Sequence, residues 1–510
     1  MDYGAGFHEE ERSGPRTFRW MQRRAVLGFA PLRRARHLEL RVFSPFFDAS
    51  QTLTLRAFRG GLRAGAAQSF HLLHDDWSFS VPVPAGADRM ALETNKIFPR
   101  EHYPEDSREL SVMVSGALLH SDGARAKHVL RQWGNAALNY GEMLAGKLRL
   151  GSTPPVLGID LNSDCNIKPP CVYCQCEDSR TAAGRFAAVP FDAKTLASYG
   201  PFFDNASSLV SCGLGEPFMK RDLGKVLDLL GRRHKRLEVA TNAQLLTDAN
   251  IGKLVGRDIR VYISLDAATA RTYARLRNRN FDKVVENVRR LIRAKGGRHR
   301  PPEVYMVFMP MRANLAELER FVGLCSELEA DLMVLRPLNE GISWTRTRSG
   351  YRFDYAKELL STEELIRLSG RAAELCRRAG VPLSNQLDFG GSLEGRAGKG
   401  MVPAAPGGPC APGAAGSGTV PAAAKPSLGG SKRPLCLEPW RNLYILRRGI
   451  PACCYGSSFL ARMDGSKDVW NSPAMQSIRA SLAQGRLHAY CRSSPSCPIV
   501  RRAGLGAGRG

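Results

Sequence analysis

The sequence predicts an α/β protein: a partial (β/α)6 TIM-like barrel, preceded by a small β-rich domain and followed by a small cysteine-rich domain. Three observations carry this reading. Six short apolar runs alternate with helical stretches between residues 156 and 337, the order that builds a parallel sheet, open or curved into a partial barrel. Short alternating runs separated by turn residues fill residues 37–119, which suits a β-sandwich. The cysteines gather in two groups, one at 165–176 and one at 436–497.

Taken in order, residues 1–35 are rich in arginine and lack a clear period, so they read as a basic tail. The β-rich domain is expected over 36–125: Leu38, Leu40 and Val42 alternate, as do Leu53 and Leu55, then Trp77, Phe79, Val81 and Val83, and Leu110, Val112 and Val114. Residues 126–150 read as a helical connector. The barrel core is expected over 151–390, with strands at Val156–Leu161, Ser208–Cys212, Leu237–Thr241, Val261–Leu265, Val304–Pro310 and Leu332–Pro337. Between the fourth and fifth, Phe281, Val284, Val285, Val288, Leu291 and Ile292 fall on one helical face. In such sheets the chemistry sits at the carboxyl ends of the strands. Gly, Ala, Pro and Ser dominate 391–432, which reads as a linker. A last compact segment covers 433–500, and 501–510 is a tail.

At 510 residues the chain is long enough for several cores. It is 43% hydrophobic and 24% charged, with no apolar span of membrane length. The run Ala25–Leu32 is too short, and no export cleavage site follows Arg23-Arg24, so the chain reads as cytoplasmic. The formal charge of +25 comes mostly from arginines scattered along the chain. No RNA- or DNA-binding module accompanies it, and a nucleic-acid partner is not expected. Thirteen cysteines in a chain of this size argue for metal chemistry over a disulfide framework. Cys212, Cys325, Cys376 and Cys410 stand outside the two groups and read as small hydrophobes or linker residues.

Just past the first strand the chain runs Ile159-Asp-Leu-Asn-Ser-Asp-Cys165-Asn-Ile-Lys-Pro-Pro-Cys171-Val-Tyr173-Cys174. Three cysteines alone fit a structural zinc site as well as an iron–sulfur cluster. The segment resembles the radical S-adenosylmethionine superfamily, whose spacing is C-x3-C-x2-C with an aromatic before the last cysteine, here Tyr173. The resemblance implies that Cys165, Cys171 and Cys174 hold three irons of a [4Fe–4S] cluster and leave the fourth open to S-adenosylmethionine. It further implies reductive cleavage of that sulfonium to a 5′-deoxyadenosyl radical, which abstracts hydrogen from a substrate. The departure is that five residues separate Cys165 from Cys171, with Lys168-Pro-Pro in the gap. Cys176 is a possible substitute for a neighbour.

Further motifs follow in the family's order. Ser211-Cys-Gly-Leu-Gly215-Glu216-Pro217 resembles the GGEP turn, which implies that Gly215 and Glu216 hold the methionyl amino group. Ala240-Thr-Asn242-Ala-Gln-Leu-Leu resembles the TNG-x-LL stretch. Ile263-Ser264-Leu-Asp266, followed by Arg277, resembles the strand that contacts ribose and carboxylate. Leu335-Arg-Pro ends the strand that backs adenine in relatives. The cofactor-binding residues implied are thus Tyr173, Gly215, Glu216, Asn242, Ser264, Asp266, Arg277 and Leu335. The likeness covers roughly residues 155–340.

The later segment carries Cys436, Cys453, Cys454, Cys491 and Cys497, together with Trp440, Trp470 and Arg479. It resembles the SPASM extension of the same superfamily, which implies one auxiliary [4Fe–4S] cluster with one of Cys453 and Cys454 as ligand. Cys491 and Cys497 are separated by five residues where relatives often have two. A zinc-bound fold is the alternative here.

SPASM relatives modify ribosomal peptides or act on sugars and polyols. Leu92-Glu-Thr-Asn-Lys-Ile-Phe98-Pro99, with Asp106 and Arg108 further on, loosely resembles a β-rich module of bacterial glycosyltransferases. This points to a glycan-type substrate, with maturation of a ribosomal peptide or protein as the alternative. A zinc-bound non-catalytic scaffold is the alternative of another class. An electron donor such as flavodoxin or ferredoxin is implied. No acid or base for the substrate is assigned: Glu340 and Asp354 follow the last barrel strand but read as surface charges.

Overall fold

The computed structural model describes residues 1–13, 16–46, 50–73, 77–99, 106–162, 164–174, 192–212, 215–297, 301–338, 344–387, 434–446, 449–453, 459–460, 468–494, 497 and 499–500. The expected linker at 391–432 and the tail at 501–510 lie outside them. Contacts divide the described chain into two units, one over residues 1–153 and one from residue 154 onward.

The first unit is a β-sandwich. Its strands are β1 (Asp2–Tyr3), β2 (Phe7–Ser13), β3 (Arg16–Met21), β4 (Arg24–Gly28), β5 (Arg36–Phe43), β6 (Thr52–Arg59), β7 (Leu62–Arg63), β8 (Gln68–His71), β9 (Trp77–Val83), β10 (Arg89–Thr94) and β11 (Val112–His120). One sheet runs β1-β4-β10-β6-β7, with β8 beside β6; the other runs β2-β3-β11-β5-β9. Period-two alternation sends Leu38, Leu40 and Val42 of one sheet, and Leu53, Leu55 and Ala57 of the other, into a single buried cluster.

The basic tail expected over 1–35 is instead part of this sandwich. Phe18, Trp20 and Met21, then Ala25 and Leu27, are buried, so these residues carry the same period-two pattern. Arginines between the apolar positions masked it, and they have structural partners: Arg24 donates to Glu93 at 2.9 Å across the sheet. Asp106 and Arg108 form an ion pair at 2.7 Å, and Arg108 also reaches Glu11 on β2. Through Arg108 that pair ties the segment before β11 to β2, and it needs no ligand to explain it.

The helix Gly123–Leu144 starts where Asp122 accepts from the Arg125 N–H. Ala126, Val129, Ala136, Tyr140 and Met143 make its buried stripe, and Trp133 meets Phe70 edge-on at 5.0 Å.

The second unit is built on an eight-stranded, wholly parallel sheet. Six strands stand where expected: β12 (Val156–Ile159), β13 (Ser208–Ser211), β14 (Arg236–Thr241), β15 (Ile259–Ser264), β16 (Glu303–Phe308) and β17 (Leu332–Leu335). Beyond β17 an antiparallel hairpin, β18 (Thr345–Arg348) and β19 (Tyr351–Asp354), stands apart from the sheet. Two further strands, β20 (Leu383–Asn385) and β21 (Asn442–Ile445), extend the sheet at its two edges, giving the order β20-β17-β16-β15-β14-β13-β12-β21. The helix Phe281–Lys295 buries Val284, Val285, Val288, Leu291 and Ile292 as its periodicity requires, and ends at left-handed Gly296.

Residues of the late cysteine-rich segment thus complete the barrel sheet through β21, whose Tyr444 packs over Gly158 of β12. A Cβ on Gly158 would lie 2.2 Å from the Tyr444 ring and 3.0 Å from Cys212 Sγ, so only glycine lets these strands pack as they do. Gly158→Ala is expected to cost about 1–3 kcal/mol by overpacking, read as a lowered urea midpoint. An unchanged midpoint would show that β21 is not seated against β12.

Candidate active site

The carboxyl end of β12 leads directly into the loop that carries Cys165, Cys171 and Cys174. Cys171 is buried, and the other two are half-buried. The final turn is closed by the Cys174 N–H donating to the Cys171 carbonyl at 2.9 Å. The Val172 N–H donates to Leu276 O at 3.0 Å, which ties the turn to the end of the helix Ala270–Leu276. Burial pushes the Cys171 thiol up, while the nearby Arg277 and Arg348 cations pull it down. Burial also raises Cys165; the Ile167 N–H opposes this, and Cys171 adds to it. Cys176 lies outside the described residues.

The motifs that follow brace this loop. Gly215 precedes Glu216, which is 1% exposed. The Glu216 carboxylate accepts from Thr241 Oγ1 at 2.6 Å, the Asn242 N–H at 2.8 Å and the Phe218 N–H at 3.2 Å. Burial nevertheless pushes this carboxyl up, against those hydrogen bonds. Its main-chain N–H donates to Asp164 O at 2.6 Å, and its carbonyl accepts from Asn162 Nδ2 at 2.9 Å. Glu216 therefore stitches the loops after β12, β13 and β14 together. Its carboxylate accepts three protein donors, so it braces these loops whatever else it contacts.

Asn242 reaches the cysteine loop itself, donating to Asn166 Oδ1 at 2.8 Å and approaching Cys165 Sγ at 3.7 Å. The next residue, Ala243, takes a left-handed φ of +60°, where the family's stretch has glycine.

Asp266 is the second brace. It adopts a left-handed φ of +57°, a conformation that aspartate tolerates better than most side chains. It is 1% exposed. Its Oδ2 accepts from Tyr173 Oη at 2.7 Å and from Arg277 Nη2 at 2.5 Å, and its Oδ1 from the Met309 N–H at 2.9 Å. Burial lifts the Tyr173 hydroxyl well above its ordinary range, so it stays protonated and donates. Arg277 stands over the Tyr173 ring at 5.4 Å and directs Nη1 toward Cys171 Sγ at 3.8 Å. Asp266, Arg277, Tyr173 and Cys171 thus form one connected network. Ser264 ends β15 half-buried, and Leu335 at the end of β17 is fully buried. Asp354 pairs with Lys357 at 3.8 Å, in line with a surface charge. Glu340 lies outside the described residues.

The hairpin β18–β19 joins the site without any of the motifs pointing to it. Trp344 Nε1 donates to Val172 O at 2.9 Å. Arg346 Nη1 donates to Cys174 O at 2.7 Å and Cys171 O at 3.2 Å. Arg348 Nη2 donates to Pro169 O at 2.6 Å and Pro170 O at 2.7 Å. The available signal was the spacing Trp344-x-Arg346-x-Arg348 before Ser349-Gly350, one face of a strand entering a turn.

In the late segment, Cys436, Cys453, Cys491 and Cys497 line one cavity of about 30 Å³. Cys454 lies outside the described residues. Burial raises the Cys436 thiol well above its usual value; Glu438 adds to this, its N–H opposes it, and Cys453 and Cys497 add smaller increments. Burial likewise raises Cys491, with Cys497 contributing. Fully buried Arg479 fastens the surrounding segment, donating to Pro439 O at 2.9 Å beneath Trp470.

Each donor set is made of soft sulfur, the preference of iron–sulfur centres as well as zinc. Among the described residues, however, no three His, Cys, Asp or Glu side chains converge as one metal ion would require. Among those same residues, buried polar atoms remain unsatisfied beside both sites: Arg277 Nε at the first and Ser494 Oγ in the cavity of the second. Such orphans are costly unless something completes them.

The three-cysteine loop thus stands at the carboxyl edge of the first barrel strand, the end of a parallel α/β sheet where chemistry is placed. Residues 161–324, about a third of the chain, match the family model of the Radical SAM superfamily. The family that this model describes implies a [4Fe–4S] cluster with S-adenosylmethionine. Comparison with curated proteins finds no match. Among solved structures, Streptococcus suis SuiB bound to S-adenosylmethionine is 16% identical, with TM-score 0.49 over 75% of this chain and 78% of that one. SuiB bound to its precursor peptide SuiA is 15% identical, with TM-score 0.46 over 79% and 80%. Native anSMEcpe with bound AdoMet is 13% identical, with TM-score 0.44 over 69% and 94%. At these scores the likenesses carry no argument about substrate.

Proposed function

We propose that the protein cleaves S-adenosylmethionine reductively, with Cys165, Cys171 and Cys174 as the cluster ligands. The convergence of the braces on one loop carries this reading: Glu216 and Asn242 from one side, Asp266, Arg277 and Tyr173 from the other. When bound, the cluster supplies the electron that splits the sulfonium into methionine and a 5′-deoxyadenosyl radical. The chain's own residues do the positioning. The carboxylates of Glu216 and Asp266 are committed to protein donors, so in this proposal they act as braces. Contacts to S-adenosylmethionine then fall to the backbone at Gly215 and to Asn242, Ser264 and Leu335.

For the second group, we propose one auxiliary [4Fe–4S] cluster on Cys436, Cys453, Cys491 and Cys497, the four that line one cavity. Complete ligation by protein thiolates suits electron passage, with flavodoxin or ferredoxin as the donor class. For the hydrogen donor, the loose likeness of Leu92–Pro99 to a β-rich module of bacterial glycosyltransferases supports a glycan-type substrate, and a ribosomal peptide is the other outcome of the same assay.

The test is to purify the protein without oxygen, reduce it and add S-adenosylmethionine. Formation of 5′-deoxyadenosine by brown, iron- and sulfide-containing protein is expected. Colourless protein that holds zinc and leaves S-adenosylmethionine intact would overturn the proposal. Deuterated glycan and peptide candidates then identify the donor by label appearing in 5′-deoxyadenosine. Among the described residues, no helix is long and apolar enough to cross a membrane.

A further inference from the structure

We infer that the β18–β19 hairpin is a clamp for the enlarged cysteine loop, and that Arg346 and Arg348 are positioning residues that also set the reduction potential of the cluster held there. The inference rests on the cluster assignment proposed above.

The loop between Cys165 and Cys171 is two residues longer than the family spacing, and the excess lies at Lys168-Pro-Pro. Prolines lack an N–H, so this stretch cannot close itself with its own amide donors, and its carbonyls need partners from elsewhere. The hairpin supplies them from β18 and the residue just before it. Trp344, Arg346 and Arg348 alternate along the chain and therefore point the same way. Together they donate to the carbonyls of Pro169, Pro170, Cys171, Val172 and Cys174. Arg346 is held in place by stacking on Trp344 at 4.3 Å, so little side-chain freedom remains to be lost.

The electrostatic consequence differs from that of Arg277. Arg277 is neutralised by Asp266 at 2.5 Å. Among the described residues no carboxylate forms an ion pair with Arg346 or Arg348. Among the described residues, two cations thus sit on the backbone of the cluster loop without a carboxylate partner. Reduction adds a negative charge to a cluster, and nearby positive charge favours that state.

The experiment uses the full-length holoprotein in three forms: wild type, Arg346→Gln/Arg348→Gln, and Arg346→Lys/Arg348→Lys. Each is read by an EPR-monitored redox titration and by the rate of iron release to a chelator. The glutamine pair is expected to shift the reduction equilibrium about tenfold toward the oxidised cluster, about 59 mV for one electron. It should also release iron several-fold faster. The lysine pair keeps the charge but loses the planar fork, so its potential should stay near that of wild type while iron release remains fast. A glutamine pair with wild-type potential and wild-type release overturns the clamp. A glutamine pair that loses iron with no change in potential overturns the electrostatic half. Wild-type protein without iron overturns the cluster assignment itself, an outcome distinct from the other two.

Discussion

Replacing Cys171 with alanine is expected to leave the chain folded but to lower the iron bound at the first site and abolish formation of 5′-deoxyadenosine. Cys171 is the most buried of the three cysteines, and its sulfur is the one that Arg277 approaches. Losing a single hydrogen bond that orients a metal ligand typically costs 10–100-fold in metal affinity or activity. Removing a ligand outright should therefore cost more than about 100-fold. The fold should survive because the backbone of the loop is held independently, through Arg346 to Cys171 O and through the Val172 N–H to Leu276 O. Iron and sulfide analysis, circular dichroism and product assay check the three parts. Because Cys436, Cys453, Cys491 and Cys497 form a separate group, roughly half of the iron should remain if the auxiliary cluster is real. Cleavage at the wild-type rate would exclude Cys171 as a ligand.

The barrel was legible because its strands are short apolar runs punctuated by helices with a clean 3.6-residue period. Val284, Val285, Val288, Leu291 and Ile292 are all buried. The two edge strands were not legible. Leu383–Asn385 is three residues long, and Asn442–Ile445 sits in a segment read for its cysteines, so neither presents a period long enough to register. The first 35 residues were misread for the opposite reason: the period was there, at Phe18, Trp20, Ala25 and Leu27, but arginine outweighed it. Motifs located the loops of the site, while their chemistry was less visible. Gly-Glu-Pro and Ser-Leu-Asp mark Glu216 and Asp266, but the motifs do not reveal that both carboxylates are buried and accept from backbone N–H groups, hydroxyls and a guanidinium. The clamp from β18 could not be read, because hydrogen bonds from side chains to carbonyls more than 170 residues away leave no mark on local sequence.

The Asp266–Arg277 pair sets the second large expectation. Both side chains are almost wholly buried. A pair in such surroundings adds little net stability when intact, since desolvation offsets attraction, but removing one partner strands a charge and costs about 3–5 kcal/mol. Arg277→Met fills much of the same volume, so the loss comes from Asp266 left with only Tyr173 Oη and the Met309 N–H to satisfy it. The double variant Asp266→Asn/Arg277→Met removes the stranded charge. Asparagine also accepts the left-handed φ that Asp266 requires, so the double variant should regain most of the lost stability in urea denaturation. A single variant within about 1 kcal/mol of wild type would contradict a buried, uncompensated carboxylate. The double variant should still be impaired in 5′-deoxyadenosine formation, because Cys171 loses the donor from Arg277 even when the fold is restored. Stability and catalysis would then separate. That separation is the signature of an ion pair retained for where it places a cation and a tyrosine around the cysteine loop, rather than for what it contributes to folding.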